Sequence, residues 1–209
     1  MAKSGRALWT QAINGGGKLS GAAPLSRAPA KNRIASEKRV IAAARAICGR
    51  RVEGVVLGID PSLRGTGLSV IEARADGTLE YIESLTIKNH PSLSMSECLA
   101  RILTQTLAII KRTNPVCAAI EQSVYVQNFR TALILGSSRG AAIAAAASQR
   151  LEVFEYPPLR IKQAVIGYGR ASKEQVAKSV AAIVGCPVLP PDEADASAAA
   201  LTHIFTHKQ

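Results

Sequence analysis

The chain is expected to be an α/β protein built on a mixed five-stranded sheet flanked by helices. Three observations predict it. Short apolar runs rich in β-branched residues sit between turn signals. Longer stretches repeat their apolar residues at intervals of three and four. The two kinds follow one another as three strands, a helix, a strand, a helix, a strand and further helices, an order that puts helical layers on the faces of one sheet.

The first strand is Val55 to Ile59, a buried-type run bounded by Gly54 and Asp60. Gly67 to Glu72 and Leu79 to Ile87 follow as the second and third, with turns at Arg64-Gly65 and Asp76-Gly77 that make antiparallel hairpins. Ser94-Met95-Ser96-Glu97 has the form of a capping box, and Leu99, Ile102, Leu103, Leu107 and Ile110 line one face of the helix it opens. Asn114-Pro115 closes that helix. Val116 to Glu121 is the fourth strand, Arg130 to Arg150 a long alanine-rich helix containing Gly136 and Gly140, and Val153 to Tyr156 the fifth strand. Helices follow at Ile161 to Ile166, at Ser172 to Val184 behind a second capping box, Ser172-Lys173-Glu174-Gln175, and at Asp195 to His207.

At 209 residues and 47% apolar composition the chain can bury a sizeable core, which excludes disorder throughout. No run reaches the ~18 apolar residues of a membrane span; the longest candidate, Ala141 to Ala147, is short and weakly hydrophobic. A soluble protein without a membrane partner is expected. Cys48, Cys98, Cys117 and Cys186 have neither metal-ligand nor disulfide-framework spacing, which suits a reducing compartment. His203 and His207 stand four apart without the glutamate of a zinc-protease helix, so a solvated or capping role is expected for them.

The net charge of +11 is uneven: residues 1 to 50 carry ten Lys or Arg against Glu37 alone. The chain divides accordingly into a basic N-terminal extension, 1–52, and a compact domain, 53–209. The extension reads as a flexible arm with a short basic amphipathic helix at 36–48, where Val40, Ile41, Ala44, Ile47 and Cys48 recur at helical spacing. Such an arm suits nucleic-acid phosphates or organelle import. The expected location is the cytoplasm of a bacterium or a phage-infected cell, with a mitochondrion or plastid as the alternative.

Four carboxylates carry the chemical argument. Asp60 ends the first strand and Glu121 the fourth, so if those strands are neighbours both emerge at one sheet edge, where α/β proteins place their sites. Asp192 and Asp195 are three apart at a helix start and share a face. Acids beside apolar sequence need a positive partner, and oxygen ligands suit a hard divalent cation. Two cations held among four carboxylates would serve an in-line phosphoryl displacement. Each acid also has an ordinary reading: Asp60 as a turn former, Asp192 as an N-cap, Asp195 as a complement to the helix dipole. Glu121 is harder to explain that way, because it closes the buried run Ala118-Ala119-Ile120.

The words around these acids resemble the RuvC family of Holliday junction resolvases. They are Leu57-Gly58-Ile59-Asp60-Pro61-Ser62-Leu63-Arg64-Gly65-Thr66-Gly67, Ala119-Ile120-Glu121-Gln122 and Asp192-Glu193-Ala194-Asp195-Ala196 through Leu201-Thr202-His203. Leu135-Gly136-Ser137-Ser138-Arg139-Gly140, Val153-Phe154-Glu155-Tyr156 through Lys162-Gln163-Ala164-Val165, Gly167-Tyr168-Gly169 and Lys173 extend the likeness. It implies an RNase H-like fold, a homodimer, four-way junction DNA as substrate, and paired symmetric nicks in recombination and repair. It also implies magnesium, with manganese as a substitute and two ions per site, held by Asp60, Glu121, Asp192 and Asp195. Lys162 and Lys173 match family lysines beside the scissile phosphate, where a cation neutralises developing charge. A branch-migration motor complex is a further partner of such enzymes.

Two features depart from the family pattern. About fifty residues precede the first strand, and where many members carry a junction-wedging Phe after the motif Glu this chain has Val124-Tyr125. Tyr125 is read either as a base-stacking wedge or as a buried ring. Arg130, Arg139, Arg170, Lys162 and Lys173 are candidates for phosphate contact. Gly136 and Gly140 are read as permitting close helix packing, across a dimer in particular. Three rival readings stand beside the resolvase. One is another RNase H-like nuclease. A second is a non-cleaving binder of branched DNA, disfavoured because all four acids are present. The third is an actin-like kinase, which would need a second domain and a second glycine-rich loop.

Overall fold

The computed structural model describes residues 52–122 and 128–207. The helix expected at 36–48 and Tyr125 lie outside the described residues. Strands β1 (Gly54–Asp60), β2 (Gly65–Ala73) and β3 (Leu79–Lys88) form an antiparallel meander. Helix α1 (Met95–Thr113), β4 (Cys117–Glu121), α2 (Phe129–Ser148), β5 (Glu152–Tyr156), α3 (Pro158–Ile166), α4 (Lys173–Val184) and α5 (Pro191–Thr206) follow. The sheet order is β3-β2-β1-β4-β5, with β1 parallel to β4 and β4 parallel to β5. This is the mixed five-stranded sheet expected from the sequence.

Two-residue alternation divides the core. Leu57, Ile59, Ala118 and Ile120 point to one face and pack with Leu68, Val70, Ile102, Ile109 and Ala142 under α1 and α2. Val56, Ile71, Cys117 and Ala119 point to the other, against Val165, Val180, Ala198 and Leu201 of α3, α4 and α5. By the same parity Asp60 and Glu121 fall on the α5 face.

Local chemistry sets the helix ends. Ser94 and Glu97 close the capping box of α1, and Asn114 stops it in the left-handed region at φ 45°. Helix α5 begins earlier than expected, because Pro191 takes the first helical position, where its missing N–H costs nothing. Asp192 therefore lies inside the first turn and is not the N-cap. His203 is another correction. It is 1% exposed, its Nδ1 meets the Tyr156 hydroxyl at 2.8 Å, and its ring packs with Phe154 and His207. The residues before it on the same helix face, Ala196, Ala199 and Ala200, are fully buried, so it is drawn into the core and is neither solvated nor capping.

One close approach governs how α5 meets the sheet. A Cβ on Gly58 would overlap the Ala196 carbonyl, and one on Gly67 would overlap the Asp192 carbonyl. Glycine inside a strand marks where another backbone comes near. Gly58→Ala is expected to destabilise the protein by about 1–3 kcal/mol, the usual cost of overpacking a well-filled site. Urea unfolding of the two proteins measures it.

Candidate active site

The parallel register aligns Ile59 with Ile120, so the next residues, Asp60 and Glu121, end adjacent strands at the same sheet edge. Helix α5 crosses that edge with its first turn over β1 and β2. Asp192 Oδ2 lies 2.8 Å from where a Gly65 Cβ would stand, so glycine there leaves room for the carboxylate. Asp195, one turn further, joins the same group, and its charge acts on both Asp60 and Glu121. The structure thus brings together all four acids singled out from the sequence.

Their proximity is visible in their proton affinities. Burial first, then the charges of Asp195, Glu121 and Asp192, push the Asp60 carboxyl from 3.8 up to about 7, against a smaller opposing pull from Lys173. Burial and Asp195 also raise Glu121, which Lys173 and Lys162 partly offset. Lys173 opens α4, a position where the helix dipole disfavours a cation. Asp195 explains it, with Nζ to Oδ2 at 2.7 Å, and that contact raises the Lys173 ammonium above its ordinary range. Lys162 is half-buried on α3.

The remaining candidates divide. Arg130 and Arg170 are exposed. Arg139 is not on an open surface: its side chain is 13% exposed, with Nη1 donating to the Glu121 carbonyl and Nη2 paired with Glu155, each at 2.6 Å. Among the described residues nothing lies within reach of a Cβ at Gly136 or Gly140, so neither permits close packing there.

Sequence reasoning missed the residues that hold this arrangement. Glu193 accepts from the hydroxyls of Ser84 and Thr86 on β3, tying the first turn of α5 to the far side of the sheet. Ser197 Oγ donates to Ser69 Oγ at 2.7 Å in the same seam. A trace of this was legible: Ser84 and Thr86 put two hydroxyls on one face of a strand that borders the core. The Arg139–Glu155 pair had no such trace, because its partners are sixteen residues apart on a helix and an edge strand.

The family described as crossover junction endodeoxyribonuclease RuvC matches residues 56–203. The chain belongs to the RuvC family. A RuvC of that description from Bordetella parapertussis is 45% identical over 149 residues, covering 71% of this chain and 81% of the relative. The solved structure of Thermus thermophilus RuvC superposes with a TM-score of 0.66 at 34% identity, covering 72% of this chain and 93% of that one. The T. thermophilus RuvC solved in complex with Holliday junction substrate gives the same TM-score at 31% identity, with coverage of 72% and 93%. The fold is the RNase H-like fold of these resolvases. The chain is an endonuclease that hydrolyses phosphodiester bonds, and its function is that of a Holliday junction resolvase.

RuvC membership implies dependence on a divalent metal. Among the described residues no three His, Cys, Asp or Glu side chains are drawn to the separations of one ligated ion. The donor chemistry nevertheless fits: the four groups are carboxylates, the ligands a hard cation selects, and burial and the neighbouring carboxylates disfavour the ionised form of Asp60, which a cation would stabilise.

The Asp60 shift fixes a sign. A carboxyl raised from 3.8 to about 7 binds its proton more tightly folded than unfolded, so it removes stability as pH rises through that window. Without divalent cation, Asp60→Asn is expected to gain stability over the parent protein between those pH values, by up to about 1.4 kcal/mol per pH unit. Denaturant unfolding of both proteins at several pH values reads the difference, and a flat difference would show Asp60 ionised throughout.

Proposed function

We propose that Asp60, Glu121, Asp192 and Asp195 hold the metal of this RuvC nuclease, magnesium with manganese as a substitute, as two ions per site. The observation that carries this reading is the convergence of Asp60 and Glu121, at the ends of β1 and β4, with Asp192 and Asp195 at the start of α5. A divalent cation bound there supplies Lewis acidity toward a phosphoryl oxygen and a more acidic attacking water.

The chain's own residues do the rest. The four carboxylates would hold the cations at the strand ends, and Asp60, raised by burial and its acidic neighbours when no cation is bound, is the carboxyl whose ionisation a bound cation would favour. Lys173 and Lys162 stand beside these acids and neutralise charge that grows on the phosphate. Arg130 and Arg170, both exposed, contact DNA backbone and set affinity without reading sequence. The substrate is a four-way DNA junction, cut by paired symmetric nicks.

Paired nicks call for two active sites, and a homodimer provides them. On α2, Phe129 is 75% exposed and Leu133 52%, and with Gly136 and Gly140 they lie at i, i+4, i+7 and i+11, one stripe of the helix. An apolar stripe with two bare glycines suits the same stripe on a second copy. The nuclease unit is 53–209, preceded by the basic extension 1–52. A bacterial cytoplasmic location is supported by the bacterial relatives, among which the organellar alternative finds no support. Among the described residues no helix is long and apolar enough to cross a membrane.

On a synthetic mobile junction in magnesium, Asp60→Asn and Glu121→Gln are each expected to slow nicking by about 1,000-fold, the rate equivalent of several kcal/mol of lost metal catalysis. Junction affinity in calcium should stay at the parent value; binding lost together with cleavage would make the acid a folding residue. An RNA/DNA hybrid serves as the control substrate, and its cutting in place of the junction would assign the chain to another branch of the fold. Separately, Leu133→Asp is expected to weaken self-association by about 10-fold or more, read by sedimentation, and to convert paired nicks into single ones.

A further inference from the structure

We infer that Arg139 is a positioning residue for Glu121, holding the end of β4 through its main chain, and not a phosphate contact. The inference rests on the reading of Glu121 as a member of the acidic site.

Helix α2 carries only two charged residues, Arg130 and Arg139. Arg130 is exposed in the first turn, as are Phe129, Thr131, Ala132 and Leu133, so the start of the helix stands away from its own sheet. Burial begins at Ser138 and continues at Ala142, Ala145 and Ala146. Arg139 lies where the helix first meets the sheet edge, and its side chain turns inward there.

Its fork makes two contacts of different kinds. Nη1 donates to the carbonyl of Glu121, the last residue of β4, and Nη2 pairs with the Glu155 carboxylate on β5. The next residue, Gln122, donates its N–H to the Tyr156 carbonyl at 2.9 Å. The end of β4 is therefore held from two sides, by β5 through Gln122 and by α2 through Arg139. Glu155 balances the guanidinium charge, and the remaining contact is with a backbone carbonyl. A planar guanidinium can serve both acceptors at once, which a lysine ammonium on a flexible stem does far less well. With 13% of its side chain exposed and both ends of its fork engaged, Arg139 would have to abandon this clamp to reach DNA.

A clamp and a phosphate contact predict opposite results. The experiment compares the full-length parent protein with Arg139→Gln, Arg139→Lys, Glu155→Gln and Glu121→Gln on a four-way junction. Turnover in magnesium is measured at saturating junction. Junction affinity is measured in calcium across a salt series, and thermal melting checks folding. The clamp predicts that Arg139→Gln lowers kcat on the order of 10- to 100-fold, the usual effect of losing a group that orients a metal ligand. Affinity and its salt slope stay at parent values, and Arg139→Lys recovers part of the rate. Weaker binding with a salt slope reduced by about one would identify a phosphate contact and overturn the inference. Unchanged turnover in both Arg139 variants would overturn it as well. If Arg139→Gln does not fold, Arg139→Lys and Glu155→Gln decide: the clamp requires kcat below the parent in both with affinity retained, and parental turnover in both refutes it. Glu121→Gln separates the two layers. Nicking at the parent rate in that variant refutes the acidic site itself, whereas its loss alongside normal Arg139 variants refutes only the clamp.

Discussion

Everything at the reactive edge depends on how closely α5 can lie on β1 and β2. A helix normally rides on a sheet with side chains between them. Here the Ala196 and Asp192 carbonyls approach Gly58 and Gly67 so nearly that any side chain on those glycines would overlap them. That approach carries the α5 acids to the strand-end acids. The cost is electrostatic as well as steric: ionising Asp60 in this company is harder by on the order of 4 kcal/mol than in water, from 3.8 to about 7. Such a cluster persists because the core beneath it is closed. Ala198, Ala199, Ala200 and Leu201 of the same helix are fully buried, and their packing holds the first turn where repulsion alone would move it.

Small residues do this in two ways. Alanines in the body of α5 shorten its distance from the sheet, and the seam of Ser69, Ser84, Thr86, Glu193 and Ser197 fastens its start. The seam explains why a fifth acid, Glu193, tolerates a place between Asp192 and Asp195. Its carboxylate is solvated by hydroxyls from β3 on the side away from Glu121, so it acts as an anchor for the turn that carries the other two.

The sequence made the sheet legible because strand alternation and helical period are local signals. Leu57 and Ile59 against Val56 and Gly58 already state which face Asp60 joins, and the parity of Cys117, Ala119 and Glu121 states the same for β4. The four acids were legible through the motifs around them. Tertiary facts were not. His203 looked like a polar residue near a helix end, yet the neighbours that bury it, Phe154 and Tyr156, come from an edge strand some fifty residues earlier. Arg139 looked like a free cation for the same reason: nothing within its own helix reveals Glu155 or the Glu121 carbonyl. The start of α5 was misjudged because Asp192 is a good N-cap residue, and Pro191 outcompetes it by fixing its own φ at the first helical position.

The balance of charge at the edge connects the two substrates of the site. Four carboxylates face two lysines, and one of those lysines, Lys173, is already paired with Asp195. A phosphodiester approaching this surface meets net negative charge, so the bare edge repels the backbone that the enzyme must cut. A divalent cation held among the acids, as proposed, would reverse that sign locally, and cation and phosphate would then each raise the affinity of the site for the other. The exposed arginines Arg130 and Arg170, in the role proposed for them, would hold DNA without any cation. With the roles proposed above, junction binding and junction cutting would draw on different charges of the same molecule, and the acids of α5 and of the β1 and β4 ends would make the second conditional on metal.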